Sequence, residues 1–185
     1  MRLFAALVPP DEVLDEIARA IAPHVGQVPG LRWPDRATWH ITLGFFGEVP
    51  ERVLPELETR LARAVRRHTA MNLAFEGFGA FSSVRRARVL WVGVTGDSMT
   101  RLADSVRAGA RRAGAEQTDD KRFHPHLTLA RAKVETDLRP LVESLSGFSG
   151  SPWRAERVRL FRSHTGPQVR HESLAEWALA PAEQG

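Results

Sequence analysis

The chain has 185 residues, enough for one full hydrophobic core or two small lobes that share one. Its composition is globular, 43% hydrophobic and 26% charged, and the absence of cysteine excludes a disulfide scaffold or a zinc–thiolate site. Lys121 and Lys133 are the only lysines, so the net charge of +4 is carried by arginine, whose planar guanidinium favours an anionic substrate or RNA.

Arg2 to Val8 (RLFAALV) reads as a buried strand. Pro9 and Pro10 end this apolar run too soon for a signal-peptide core or a membrane span, so the expectation is a cytoplasmic protein with no membrane association. Asp11 to Val25 carries apolar residues at helical spacing: Val13, Leu14, Ile17, Ala18 and Ile21. Pro29, Gly30 and Pro34 mark a loop, and Thr38 to Phe46 reads as a strand. Glu51 to Arg67 returns to helical spacing and Met71 to Phe78 to a strand. The second half runs the same way. Arg88 to Val94 is a strand, Asp97 to Ala113 a helix with Asp97 or Ser98 as N-cap, and His126 to Ala130 a strand. Asp137 to Leu145 is a short helix with Thr136 as N-cap, and Trp153 to Phe161 is a strand. A last strand, Glu172 to Leu179, follows the turn at Gly166 and Pro167.

The two halves keep step. His126 follows His40 by 86 residues, and Asp137 follows Glu51 by the same 86. This predicts a single bilobal α+β domain over 1–185. Two pseudo-symmetric halves, about 1–80 and 81–165, are followed by an extra C-terminal strand at 172–179. Each half carries His-x-Thr-Leu: His40, Thr42 and Leu43 in WHITLGFFG, and His126, Thr128 and Leu129 in HPHLTLAR.

On a strand, side chains alternate between faces. His40 and Thr42 therefore share one face, as do His126 and Thr128, while Ile41, Leu43, Leu127 and Leu129 face the core. Two imidazoles on one cleft suit phosphoryl chemistry without a metal. One, neutral, deprotonates the attacking water; the other, protonated, supplies a proton to the departing ribose oxygen. The threonine hydroxyls donate to the non-bridging phosphate oxygens, where charge must be stabilised.

Other readings of the chemistry carry less. His124 and His126 have a spacing that can chelate a metal, but Pro125 places His124 in the incoming loop, and no carboxylate or cysteine partner is nearby. No metal and no cofactor is expected. There is no phosphate-binding glycine-rich Lys-Ser/Thr loop, no dinucleotide fingerprint and no His-Glu-x-x-His. His24, His68, His164 and His171 read as surface histidines, and Val84 to Arg88 as a solvated basic loop. Trp39, Phe45, Phe46 and Phe123 flank the motifs. Most belong in a core, with one or two free to stack a base. Arg162, Ser163 and His164 lie where they could line the groove.

At the paired motifs the sequence resembles the 2H phosphoesterase superfamily, and within it the bacterial RNA 2′,3′-cyclic phosphodiesterase family, also called 2′-5′ RNA ligase. The likeness runs from RLFAAL through WHITLGFFGEV, RVLWVGV and HPHLTLAR to RVRLFRSHTG and ESLAEWAL. It implies two antiparallel sheets flanking a central cleft, with helices outside. It also implies metal-independent hydrolysis of an RNA 2′,3′-cyclic phosphate end to a 2′-phosphate, with reversible 2′-5′ ligation. By position it makes His40 the proton donor and His126 the proton acceptor, with Thr42, Thr128 and Arg131 binding phosphate. Arg131 poses a difficulty: strict alternation puts it on the face opposite His126, unless the strand ends or bulges near Ala130. The partner implied is RNA with a cyclic-phosphate end, or a related nucleotide, acted on by a monomer. The alternatives are a small-molecule cyclic nucleotide phosphodiesterase and a non-catalytic RNA- or nucleotide-binding module.

Overall fold

In a computed structural model describing residues 1–182, the first strand, β1 (Arg2–Leu7), is buried from Leu3 onward on both of its faces. Leu3, Ala5 and Leu7 enter the main core. Phe4 and Ala6, on the other face, form a second small cluster with Phe161, against which Phe45 packs. The sheet is therefore covered by helices on one side and curled over an aromatic floor on the other.

The apolar stripe of α1 (Asp11–Ile21) buries Val13, Leu14, Ile17 and Ile21, and Asp11 and Glu12 in its first turn suit the positive end of the helix dipole. The helix stops at Ile21, short of the expected Val25, and a 3-10 turn through Pro23 follows. The loop read around Pro29–Pro34 contains a two-residue strand, β2 (Leu31–Arg32). A 3-10 turn at Arg36–Thr38 then takes the place of the expected strand start. It is capped by the Asp35 carboxylate, which accepts from Ala37 N at 2.7 Å. Strand β3 (Ile41–Glu48) follows, so His40 stands one residue ahead of it.

Next come α2 (Leu54–Val65), β4 (Met71–Phe81), β5 (Ala87–Gly96) and α3 (Thr100–Ala113). Neither Asp97 nor Ser98 is the N-cap of α3. Met99 is, and the Asp97 carboxylate instead accepts from Asn72 N at 2.8 Å. Strand β6 (His126–Thr136) runs six residues past its expected end at Ala130. At α4 (Arg139–Ser144) the side chain that receives an early helical N–H is Asp137, not Thr136, whose hydroxyl donates to Val134 O. The expected strand Trp153–Phe161 is broken at Glu156. Its parts, β7 (Trp153–Ala155) and β8 (Arg157–His164), pair with β4 and β1 respectively. Strand β9 (Arg170–Ala178) closes the hairpin with β8.

All strand pairs are antiparallel, in the order β7-β4-β5-β6-β3-β1-β8-β9, with β2 also on β6. The two lobes meet where β3 and β6 touch, through the single pair Ile41↔Leu127. Beyond it the strands diverge, and β2 takes over the same edge of β6 through Leu31↔Ala132 and Arg32↔Arg131. The sequence halves interlock: β4 pairs with β5 of the second half, while β8 returns to β1 of the first. Helices α2 and α3 pack on each other, and α3 lies against β3. Among the described residues no helix is long and apolar enough to cross a membrane.

Candidate active site

The antiparallel pair Ile41↔Leu127 sets each motif's histidine beside the other's threonine: His40 by Thr128, and Thr42 by His126. All four side chains line one cavity of ≈ 560 Å³, as does Arg131. The five residues singled out in the sequence thus meet in one place. The lining includes three arginines, Arg2, Arg32 and Arg131, and no carboxylate. A cleft so charged suits an anion.

Arg131 arrives through a bulge. Along the β5–β6 ladder, Leu90 pairs with Ala130 but the next residue, Trp91, pairs with Thr128, so Leu129 is an extra residue. It resets the alternation. Leu129 and Ala130 are both buried, and Arg131 turns back to the face of His126 and Thr128. The parity difficulty is thereby removed. Strand β3 does the same: Ala5 pairs with Gly44 and Ala6 with Thr42, which leaves Leu43 as the extra residue and turns Phe45 into the cleft. The Arg2 guanidinium lies over the Phe45 ring, 4.9 Å from its centroid.

Each histidine is held from behind. His126 Nδ1 lies 2.6 Å from the carbonyl of His124. A carbonyl only accepts, so Nδ1 carries the proton and Nε2 presents its lone pair. His40 makes a backbone hydrogen bond with Thr38, the same two residues upstream. Its ring stacks on Phe4, centroids 4.6 Å apart, and meets His171 edge-on at 5.3 Å. His126 packs edge-on against Phe81 at 5.0 Å. These walls remove water from both rings. Burial is the main cause that pushes His40 down to about 4, reinforced by His171 and opposed by the Thr38 bond. Burial also lowers His126, against the opposing bond to His124. Near neutral pH both imidazoles therefore favour the neutral form, and an anion bound beside them raises both.

Two contributors were not legible as site residues. His171, read as a surface histidine, faces the cleft: it pairs with Ser163 across β8–β9, and its Nδ1 is buried without a partner among the described residues. Only pairing of β9 with β8 reveals this. Arg107 on α3 donates from Nε to Leu43 O at 3.2 Å and from Nη1 to Lys121 O at 2.7 Å, which ties the first motif strand to the segment leading into the second. Gly44 makes room for it, since a Cβ there would stand 3.1 Å from Arg107 Cγ. Of Arg162, Ser163 and His164, Ser163 lines the cleft, while His164 is paired with Glu172 at 2.7 Å.

His124 lies against Trp91 and Phe81, with ring centroids 4.8 and 5.4 Å away. Trp91 fits there because Gly79 has no Cβ, which would fall 2.4 Å from the indole. Among the described residues no three His, Cys, Asp or Glu side chains gather as a metal-binding group. A larger cavity of ≈ 960 Å³ lies beside His124 and Pro125. Its Arg107 and Arg111 are spent on backbone carbonyls of Leu43, Lys121 and Asp119, so it braces the loop before His126.

Comparison with known proteins gives concordant matches. The family model of the 2′-5′ RNA ligase superfamily matches residues 9–167. A protein of Archaeoglobus fulgidus named RNA 2′,3′-cyclic phosphodiesterase is 34% identical over 170 residues, covering 91% of this chain and 94% of the relative. The crystal structure of TT0787 of Thermus thermophilus superposes with a TM-score of 0.84 at 29% identity, covering 98% of this chain and 99% of that one. That of Escherichia coli LigT complexed with 3′-AMP does so with a TM-score of 0.73 at 27% identity, over 96% of both chains.

Proposed function

The chain belongs to the 2′-5′ RNA ligase superfamily, and from that premise we propose that it hydrolyses 2′,3′-cyclic phosphate ends of RNA to 2′-phosphomonoesters by paired-histidine acid–base catalysis. The observation that carries this reading is the convergence of His40, His126, Thr42, Thr128 and Arg131 on one acid-free cleft.

In this mechanism water attacks phosphorus and His126 Nε2 takes its proton, the other nitrogen being held by the His124 carbonyl. The new O–P bond forms as the bond from phosphorus to the ribose 3′ oxygen breaks. His40 gives its proton to that oxygen, which leaves a 2′-phosphate and a free 3′-hydroxyl. Thr42 and Thr128 donate to the non-bridging oxygens, and Arg131 neutralises their growing charge through paired N–H donors. His40, pushed down to about 4 by burial, becomes an acid when a phosphate anion binds beside it and offsets that cost. A 5′-hydroxyl in place of water gives a 2′-5′ linkage by the same steps.

We read the halves 1–80 and 81–165 as copies of one unit with exchanged third strands. One chain then supplies both motifs and acts as a monomer, in the cytoplasm. The test is turnover of a cyclic-phosphate-ended oligoribonucleotide with identification of the product's phosphate position. A 2′-phosphate is expected. Binding without turnover would favour a non-catalytic module.

A further inference from the structure

Arg32 of β2 stands directly across from Arg131 of β6, and both line the catalytic cleft. Like charges opposite each other in a ladder repel. Among the described residues neither guanidinium has a salt-bridge partner, and no carboxylate lines the cleft they share. A cross-strand cation pair left without a carboxylate is a place for a second anion.

Arg32 also borders a second cavity of ≈ 580 Å³ that shares Pro34, Thr38, Val169 and His171 with the cleft and so continues it. Its walls add the Trp33 indole, Arg170 and Asp35, whose carboxylate is engaged by Ala37 N. Among the described residues Trp33 Nε1 and His171 Nδ1 are buried without a hydrogen-bond partner, as are the indole nitrogens of Trp39, Trp91 and Trp153, so what the cavity is offered is the face of the Trp33 ring rather than its nitrogen. An aromatic wall and a flanking cation make a surface for a base and its sugar.

Resting on the hydrolase reading above, we propose that Arg32 holds the phosphodiester immediately 5′ of the terminal nucleotide, and that the cavity walled by Trp33, Arg170 and His171 takes the preceding nucleoside. The substrate is then an RNA strand rather than a free cyclic mononucleotide. The terminal cyclic phosphate lies at His40, His126 and Arg131, and the next phosphate lies against Arg32.

The experiment compares a 2′,3′-cyclic mononucleotide with a dinucleotide carrying the same cyclic end. In parallel it compares binding of the 2′-phosphate-ended mono- and dinucleotide by calorimetry. The dinucleotide is expected to lead by about tenfold or more in kcat/KM and in affinity, and Arg32→Gln to bring both ratios to within about twofold. Arg32 is exposed, so the variant folds. The salt slope of dinucleotide binding falls by about 0.7 in the variant, one phosphate contact on a single strand. Equal handling of the two substrates by the wild type, or a ratio that survives Arg32→Gln, overturns the subsite. Absence of turnover with a persisting dinucleotide affinity advantage contradicts the hydrolase reading and upholds the subsite; turnover of both substrates at equal rates does the reverse.

Discussion

Phe45 and Arg131 each stand three residues beyond a motif threonine, 86 residues apart, and each is turned into the cleft by one extra residue in its strand. The same backbone device delivers an aromatic ring on one side and a cation on the other. In the proposed mechanism this asymmetry gives the site a direction, with charge on the developing phosphate met from the β6 side. Arg131→Ala is expected to lower kcat/KM by about 10²–10³, the scale for removing a charge-stabilising donor from a preorganised site. Arg131→Lys recovers only part of this, since a point charge does not reproduce the paired donors. Steady-state kinetics on a cyclic-phosphate-ended oligonucleotide checks both, and equal activity of the Lys variant and wild type would count against bidentate contact.

The pH dependence follows from the two imidazoles. In the free enzyme both titrate below the ordinary histidine value, His40 at about 4. The proposed mechanism requires one neutral and one protonated imidazole, so kcat/KM is expected to trace a bell centred below pH ~6.5. The bound phosphate anion raises both groups, so the bell in kcat is displaced to higher pH. Measuring both profiles from about pH 4 to 9 tests this. A flat profile, or a kcat optimum more acidic than that of kcat/KM, contradicts it.

Burial of His40 also makes folding stability depend on pH. The folded state keeps this ring neutral down to about 4, whereas the unfolded chain takes up the proton near 6.5. Between those values the unfolded state binds more protons, so stability falls as pH falls through this window and levels off below it. The His40 contribution is on the order of 1–3 kcal/mol. Urea unfolding of wild type and His40→Gln at about pH 7.5 and 4.5 reads it as the difference between their two losses. The variant should lose less on acidification, and an identical loss would show that His40 is not the buried neutral group described.

Arg107 touches neither cleft nor substrate, yet its two bonds link Leu43 O to Lys121 O. Arg107→Ala leaves both carbonyls without this donor and is expected to cost about 1–3 kcal/mol in stability. It should also lower kcat more than it raises KM, because the histidines lose their mutual placement. A variant as stable as wild type with unchanged kcat would mean the link is idle. Gly44→Ala strikes the same link from the other side, with its Cβ 3.1 Å from Arg107 Cγ.

Much of this site was legible because its signal is periodic. His40 with Thr42 and His126 with Thr128 break an apolar strand pattern at alternate positions, and the break recurs after 86 residues. The interrupted pattern marks a face that meets water, and its recurrence links two distant segments. The rest depends on pairing. A bulge inserts one residue and reverses the faces beyond it, and little in Leu129-Ala130 announces this, so Arg131 looked misdirected until the β5 register was known. β2 is two residues long, too short to show any period. His171 and Arg107 act across elements far away in sequence, and so carry no local pattern. The helix starts at Met99 and Leu138 shifted for a related reason, since Asp97 is drawn to Asn72 of the neighbouring strand and Asp137 takes the capping contact expected of Thr136.

The most direct test of the central claim is single-turnover hydrolysis of a 2′,3′-cyclic-phosphate-ended oligoribonucleotide in EDTA, by wild type and by a His40→Ala, His126→Ala double variant. The wild type is expected to turn over fully to a 2′-phosphate end. In the double variant, with acid and base both removed, the rate is expected to fall by about 10⁴ or more. Unimpaired turnover by that variant would contradict the claim.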